Sequence, residues 1–177
     1  MTQGINSWRI AGWGMAGLLL LIPAVAMRYT SEVQWTASDF VFATVMLGGT
    51  GLAIEATMRM RADWNYRLGG LGTLAAGFLL IWVNGAVGIV GDEGNPFNLL
   101  YLGVVVMVLG WGLATRFRAS GMASATTVAA VLTGLVGVAG AYVGRAEPPG
   151  PVGILAINAV FVAVFAGAAW LFRQGVR

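Results

Sequence analysis

The run FNLLYLGVVVMVLGWGLAT, residues 97–115, decides the fold because it contains no charged residue. An α-helix rises about 1.5 Å per residue, so about 20 apolar residues cross the roughly 30 Å hydrocarbon core of a bilayer. Its segment 104–109 is continuously apolar, whereas a strand of a membrane β-barrel alternates apolar and polar residues. The run is therefore predicted to be a transmembrane helix.

Five further stretches of similar length lie around this run, separated by charged residues, and only Glu55 interrupts one of them. Of the 177 residues, 58 % are hydrophobic and 10 % are charged, a balance outside the range of soluble domains. The sequence thus predicts an all-α, polytopic membrane protein, a bundle of six transmembrane helices in a single domain over residues 1–177. The predicted helices cover residues 8–27, 39–58, 68–91, 96–115, 121–143 and 152–172.

The arginines predict the orientation of the chain, because positively charged short loops stay in the cytoplasm. With the N-terminus inside, the outer loops hold only Arg28 and Arg145. We therefore predict that both termini are cytoplasmic. The basic residues are scattered in pairs at helix ends, which indicates contact with the lipid bilayer rather than with nucleic acid. The eight arginines on the inner side would be Arg9, Arg59, Arg61, Arg67, Arg116, Arg118, Arg173 and Arg177.

Residue types that the sequence lacks exclude several kinds of chemistry. The chain has no Lys, which excludes a retinal Schiff base, and no His, which excludes histidine-ligated haem. It also has no Cys, so thiolate catalysis and iron–sulfur clusters are excluded. We accordingly predict no cofactor, no resident metal and no catalytic residue.

Glycines are abundant, 27 in all, and recur every one to four positions within the predicted helices. Small residues at such spacings let a neighbouring helix approach closely and gain van der Waals contact in lipid. We interpret these stripes as packing surfaces; the alternative is that they line a narrow passage or let a helix bend. The stripes are Gly12, Gly14 and Gly17; Gly48, Gly49 and Gly51; Gly85, Gly88 and Gly91; and Gly134, Gly137, Gly140 and Gly144.

Three polar residues lie inside predicted spans and are candidate intramembrane sites: Asn84, Asn158 and Glu55. Asn84 and Asn158 fall at similar depths, so they could form a polar pair inside the bundle. Glu55 is four residues before Arg59, the favourable order for an ion pair on one helix. Hydrogen bonding that stabilises the bundle and a path for an ion or proton both remain open.

The stretch 91–98, GDEGNPFN, offers a second group of polar residues. Asn95 followed by Pro96 indicates the start of a helix, with the asparagine as N-cap. The alternative is a site for a hard cation such as calcium at the outer face, because carboxylate and amide oxygens are its usual ligands. Its ligands would be Asp92, Glu93, Asn95 and Asn98.

Residues 78–96, FLLIWVNGAVGIVGDEGNP, together with RIAGWG at 9–14, WTASDF at 35–40 and WLFR at 170–173, carry a resemblance. The chain resembles a group of small six-span inner-membrane proteins of proteobacteria. The resemblance implies the six-span topology and a location in the bacterial inner membrane. The motifs of that group have no assigned chemistry, so no functional residue is carried over from it.

Three functions remain open at this point. The first is a non-catalytic integral membrane protein, an accessory or assembly-forming subunit that works as a homo-oligomer or in a larger membrane complex. The second is an oligomeric transporter or channel for a small ion or solute. The third is a membrane-embedded enzyme that uses carboxylates alone, and nothing in the spacing of the acids marks a general acid and base.

Overall fold

The computed structural model of the chain describes residues 7–60 and 63–175. In these ranges the chain is all-α, without strands, and the six predicted helices are confirmed. All six are long and apolar enough to cross a membrane, one of them together with the short 3₁₀ turn that precedes it. The helices are α1 (Ser7–Ala26), α2 (Ala37–Met60), α3 (Trp64–Ala86), α4 (Leu99–Ala114), α5 (Ala119–Val143) and α6 (Gly150–Gln174).

The third helix lies earlier in the chain than predicted, at Trp64–Ala86 rather than 68–91. Its start follows from Asp63, whose carboxylate accepts hydrogen bonds from the amides of Asn65 and Tyr66 at 3.2 Å. It ends early because the chain turns there, with Gly88 at a φ of 75° and Gly91 at 70°. Residues 87–95 are therefore a loop and not the last turns of a helix.

The chain divides into two compact units, Met1–Ala56 and Thr57–Arg177. We call them unit 1 and unit 2. Unit 1 contains α1 and most of α2, and its helices meet where the ring of Trp13 packs on Gly51, 3.1 Å from the position of a Cβ there. Unit 2 contains the end of α2 and the helices α3 to α6. The single domain over residues 1–177 stays a prediction.

The core of unit 2 forms where α5 packs against α4 and α6, and α3 packs against α4 and α6. Close helix approach is possible because glycines face large side chains. On α3, Gly69 lies against the ring of Phe172, which is fully buried; on α5, Gly140 and Gly144 receive Val90 and Ile154. The largest buried side chains are Tyr101, Phe165, Phe172, Leu80, Ile89 and Ile154.

The glycine stripes have different outcomes in the two units. The α5 stripe packs as predicted, because Gly134, Gly137, Gly140 and Gly144 all contact other elements of unit 2. The prediction for α3 is wrong for Gly88 and Gly91, which lie in the loop at positive φ. In unit 1, Gly51 contacts Trp13, whereas Gly12, Gly14, Gly17, Gly48 and Gly49 have no described atom of that unit within 4 Å of a Cβ position.

Candidate functional site

An ion pair with a third partner joins the two helices of unit 1. Arg9 on α1 donates from Nε to Oε1 of Glu55 on α2 at 2.9 Å, and from Nη2 to Oε2 at 2.7 Å. The indole Nε1 of Trp13, one turn further along α1, donates to Oε1 at 2.9 Å. The Glu55 side chain is only 11 % exposed and that of Arg9 is 42 % exposed. Bidentate, charge-assisted bonds of this kind are stronger than neutral hydrogen bonds, and their geometry also fixes the register of the two helices.

Glu55 thus has a partner on another helix that the sequence did not predict. The predicted salt bridge joined Glu55 to Arg59 on the same helix, whereas the two short bonds come from Arg9, 46 residues away. Because α1 and α2 are antiparallel where they meet, the start of one lies beside the end of the other.

A second polar cluster lies in the core of unit 2, around Asn158 on α6. The Asn158 side chain is buried; its Nδ2 donates to the hydroxyl of Tyr101 on α4 at 3.0 Å and to the carbonyl of Ile154 at 2.8 Å. Its Oδ1 has no partner among the described residues. Gly137 on α5 makes room for the carboxamide, since a Cβ there would lie 2.6 Å from Cγ of Asn158. Asn158 therefore links α6 to α4 and keeps one acceptor unused.

Asn84 stabilises the end of α3 and does not pair with Asn158, contrary to one interpretation of the sequence. Its Nδ2 donates to the carbonyl of Leu80 at 2.7 Å, and its Oδ1 accepts from the backbone amide of Ile89 at 3.3 Å. The amide of Ile89 belongs to the loop that follows the helix, and Ile89 is fully buried. Asn84 gives this amide a hydrogen-bond partner, which explains a polar residue at this depth.

The loop after α3, residues 87–95, folds back into the core of unit 2, and we call this loop the plug. Ile89 and Val90 are both fully buried, and Val90 packs on the two glycines at the end of α5. Asn98 holds the loop in place: its Oδ1 accepts from the amide of Val90 at 3.0 Å, and its Nδ2 donates to the carbonyls of Val90 (3.2 Å) and Asp92 (2.8 Å). Both backbone groups of the buried Val90 thereby have a partner.

The remaining cation candidates lie on the outside of this loop. Asn95 is the N-cap of the 3₁₀ turn Pro96–Asn98, with Oδ1 accepting from the amide of Phe97 at 3.0 Å, so the predicted helix start is confirmed. Asp92 accepts from the amide of Gly94 at 3.0 Å, and Glu93 is exposed. No group of three or more acidic side chains converges within the described ranges. In three of the four candidates a side-chain oxygen accepts a hydrogen bond from a backbone amide. Cation binding stays a prediction.

An open polar cavity of about 420 Å³ lies at the turn between α4 and α5. Arg116 and Arg118 supply its charge, and Thr115, Ser120 and Gly121 line the rest together with Ala114. The backbone turns sharply there, with Arg116 at a φ of 52° and Phe117 at 51°. A cavity with two guanidinium groups suits an anion, in keeping with the predicted contact of the arginines with lipid head groups.

The structure adds four polar participants that the sequence did not single out: Arg9, Trp13, Tyr101 and Thr133. The first two could have been found by comparing depths in neighbouring antiparallel helices, because Arg9 and Glu55 both lie close to a helix end. Tyr101 and Thr133 carried no signal beyond a hydroxyl within an apolar run.

Comparisons with known proteins find no match for this chain among family models, curated proteins or solved structures. The resemblance to small six-span inner-membrane proteins therefore remains an expectation from the quoted motifs.

Proposed function

We propose that the chain is a non-catalytic integral membrane protein that acts as an accessory or assembly-forming subunit. The observation that carries the proposal is the use of its polar side chains. Glu55 is bonded to Arg9 and Trp13, and Asn98 is bonded to the backbone of the plug. Polar groups committed to such internal bonds hold the protein together and are not aimed at a substrate.

The outer face of α4 supports an assembly. Gly103 and Gly110 lie two turns apart, and no described atom of unit 2 is within 4 Å of a Cβ position at either. Exposed Val106 and Leu109 lie between them on the helix. In lipid, helices associate through close packing, which such small residues permit. The neighbour that we propose is a transmembrane helix of a second copy or of a partner subunit.

The test is native mass spectrometry of the full-length protein extracted gently from its own membranes. We expect more than one copy, or a partner in fixed ratio, and a shift toward the single chain when Gly103→Leu and Gly110→Leu are combined. The control is Gly167→Leu on α6, also an open glycine position, which should leave the assembly intact. A single chain without partners would contradict the proposal.

A second candidate function is an oligomeric transporter or channel for a small ion or solute. It is favoured by one observation, the unpartnered Oδ1 of Asn158 and Oγ1 of Thr133 in the core of unit 2. The test is flux into liposomes that contain the protein, with Asn158→Leu and Glu55→Gln as variants. If the wild type shows flux and both variants leave it unchanged, this site assignment is wrong. If the wild type shows no flux, the transport function itself is contradicted.

We further propose that the protein resides in a bacterial inner membrane with both termini in the cytoplasm. The support is the asymmetry of the arginines, eight of ten on one side of the predicted topology. The test compares C-terminal fusions to green fluorescent protein, which fluoresces inside, and to alkaline phosphatase, which is active outside. Phosphatase activity of the fusion would contradict the orientation.

A further inference from the structure

Two polar side-chain atoms in the core of unit 2 have no hydrogen-bond partner among the described residues: Oδ1 of Asn158 and Oγ1 of Thr133. Asn158 is 2 % exposed and Thr133 is 0 % exposed. A buried polar group without a partner costs about 1–3 kcal/mol. Two such groups in one core point to a partner that does not belong to the chain.

Thr133 differs from other threonines in the helices of this unit. The hydroxyls of Thr73, Thr126 and Thr127 donate to the carbonyl four residues earlier at 2.7–2.8 Å. That bond satisfies a hydroxyl within a helix without any outside group. Thr133 does not make it, so its hydroxyl is free both to donate and to accept.

The two unpartnered groups lie along one face of α5. Thr133 and Gly137 are one turn apart on α5 and therefore on the same face of the helix. The carboxamide of Asn158 packs on Gly137, with Oδ1 3.0 Å from the position of a Cβ there. The hydroxyl of Tyr101 accepts from Asn158, and its own hydrogen has no acceptor in the described part of the chain. Tyr101 is fully buried.

We propose that this cluster is an internal binding site for water, between α4, α5 and α6. One water molecule would accept the hydrogen of the Tyr101 hydroxyl and donate to Oδ1 of Asn158, and the Thr133 hydroxyl extends the site along α5. Buried waters in proteins make about three hydrogen bonds to such groups. A phenol, a carboxamide and a hydroxyl together offer hydrogen-bond donors and acceptors, as water requires.

The test is X-ray hydroxyl-radical labelling of the full-length protein in lipid nanodiscs, read out by mass spectrometry. A buried side chain is labelled when radicals form from water held beside it. Tyr101 is compared with Phe165, which is similarly buried at 1 % exposed and has no polar side-chain atom. We expect Tyr101 to be labelled several-fold faster than Phe165. Equal rates would overturn the proposal, since breathing of the core would label both rings alike.

Two threonine variants locate the water within the core. Thr133→Val removes the free hydroxyl at nearly constant volume, so labelling of Tyr101 should fall several-fold. The matched control is Thr126→Val, in which the lost hydroxyl is buried but bonded to the carbonyl of Met122 at 2.7 Å. Unchanged labelling in Thr133→Val, or an equal fall in both variants, would overturn the assignment.

Discussion

The ion pair of unit 1 gives the sharpest prediction about stability. Replacing Arg9 by Gln removes the two hydrogen bonds that its guanidinium donates to the carboxylate of Glu55. Breaking a buried pair costs about 3–5 kcal/mol, whereas an exposed pair contributes about 0–1 kcal/mol. With side chains 42 % and 11 % exposed, this pair lies between those cases, and we expect a coupling energy of about 2 kcal/mol.

The coupling energy is measured by a double-mutant cycle of Arg9→Gln, Glu55→Gln and the double variant. The free energy of unfolding of the full-length protein in micelles is determined by titration with sodium dodecyl sulfate and followed by circular dichroism. The control is Glu32→Gln, the same chemical change at an exposed position of unit 1, which should alter stability by less than about 0.5 kcal/mol.

The outcome separates a structural pair from an incidental one. A coupling energy below about 0.5 kcal/mol, the level of exposed pairs, would refute the inference that Arg9 and Glu55 hold α1 against α2. We expect Arg9→Gln alone to lower the free energy of unfolding about as much as the double variant does. The reason is that Glu55→Gln then changes a group that has already lost its arginine.

Three further predictions concern unit 2 and its plug. Asn98→Ala should lower the free energy of unfolding by about 2–3 kcal/mol, because three backbone groups, two of them buried, lose their bonds; thermal unfolding in detergent measures it. Gly137→Ala should lower the free energy of unfolding by about 1–3 kcal/mol, because the new Cβ would collide with the carboxamide of Asn158. Gly134→Ala should lower it far less, because its Cβ would meet a methyl group at 3.7 Å, and equal losses would contradict this packing. Millimolar calcium should leave the unfolding temperature unchanged in the wild type and in Glu93→Gln, because loop oxygens already accept backbone hydrogen bonds. A rise that Glu93→Gln abolishes would support the cation interpretation instead.

The helices could be predicted from the sequence because each one follows from a long uncharged run, and the length of such a run is a local property. The helix start at Asn95 was predictable from its N-cap, whereas the Asp63 cap of α3 was missed because Arg67 interrupts the apolar run. The end of α3 was not predictable, because the apolar residues Ile89 and Val90 continue the run although they belong to the loop. Hydropathy does not distinguish a residue facing lipid from one buried in a plug.

The polar contacts were harder to predict because they join distant parts of the chain. Glu55 accepts two short bonds from Arg9 on another helix, 46 residues away. Asn158 was identified as a buried polar residue, but its partner Tyr101 lies 57 residues away in an apolar run. Spacing along one helix predicts pairs on that helix only, and the choice among helices depends on which faces pack together.

The central claim, that the protein works as a subunit of a membrane assembly, is tested most directly by native mass spectrometry after gentle extraction. The account predicts a complex of fixed stoichiometry, either several copies of this chain or this chain with a partner. A single chain carrying only lipid, at the concentrations found in its own membrane, would contradict it.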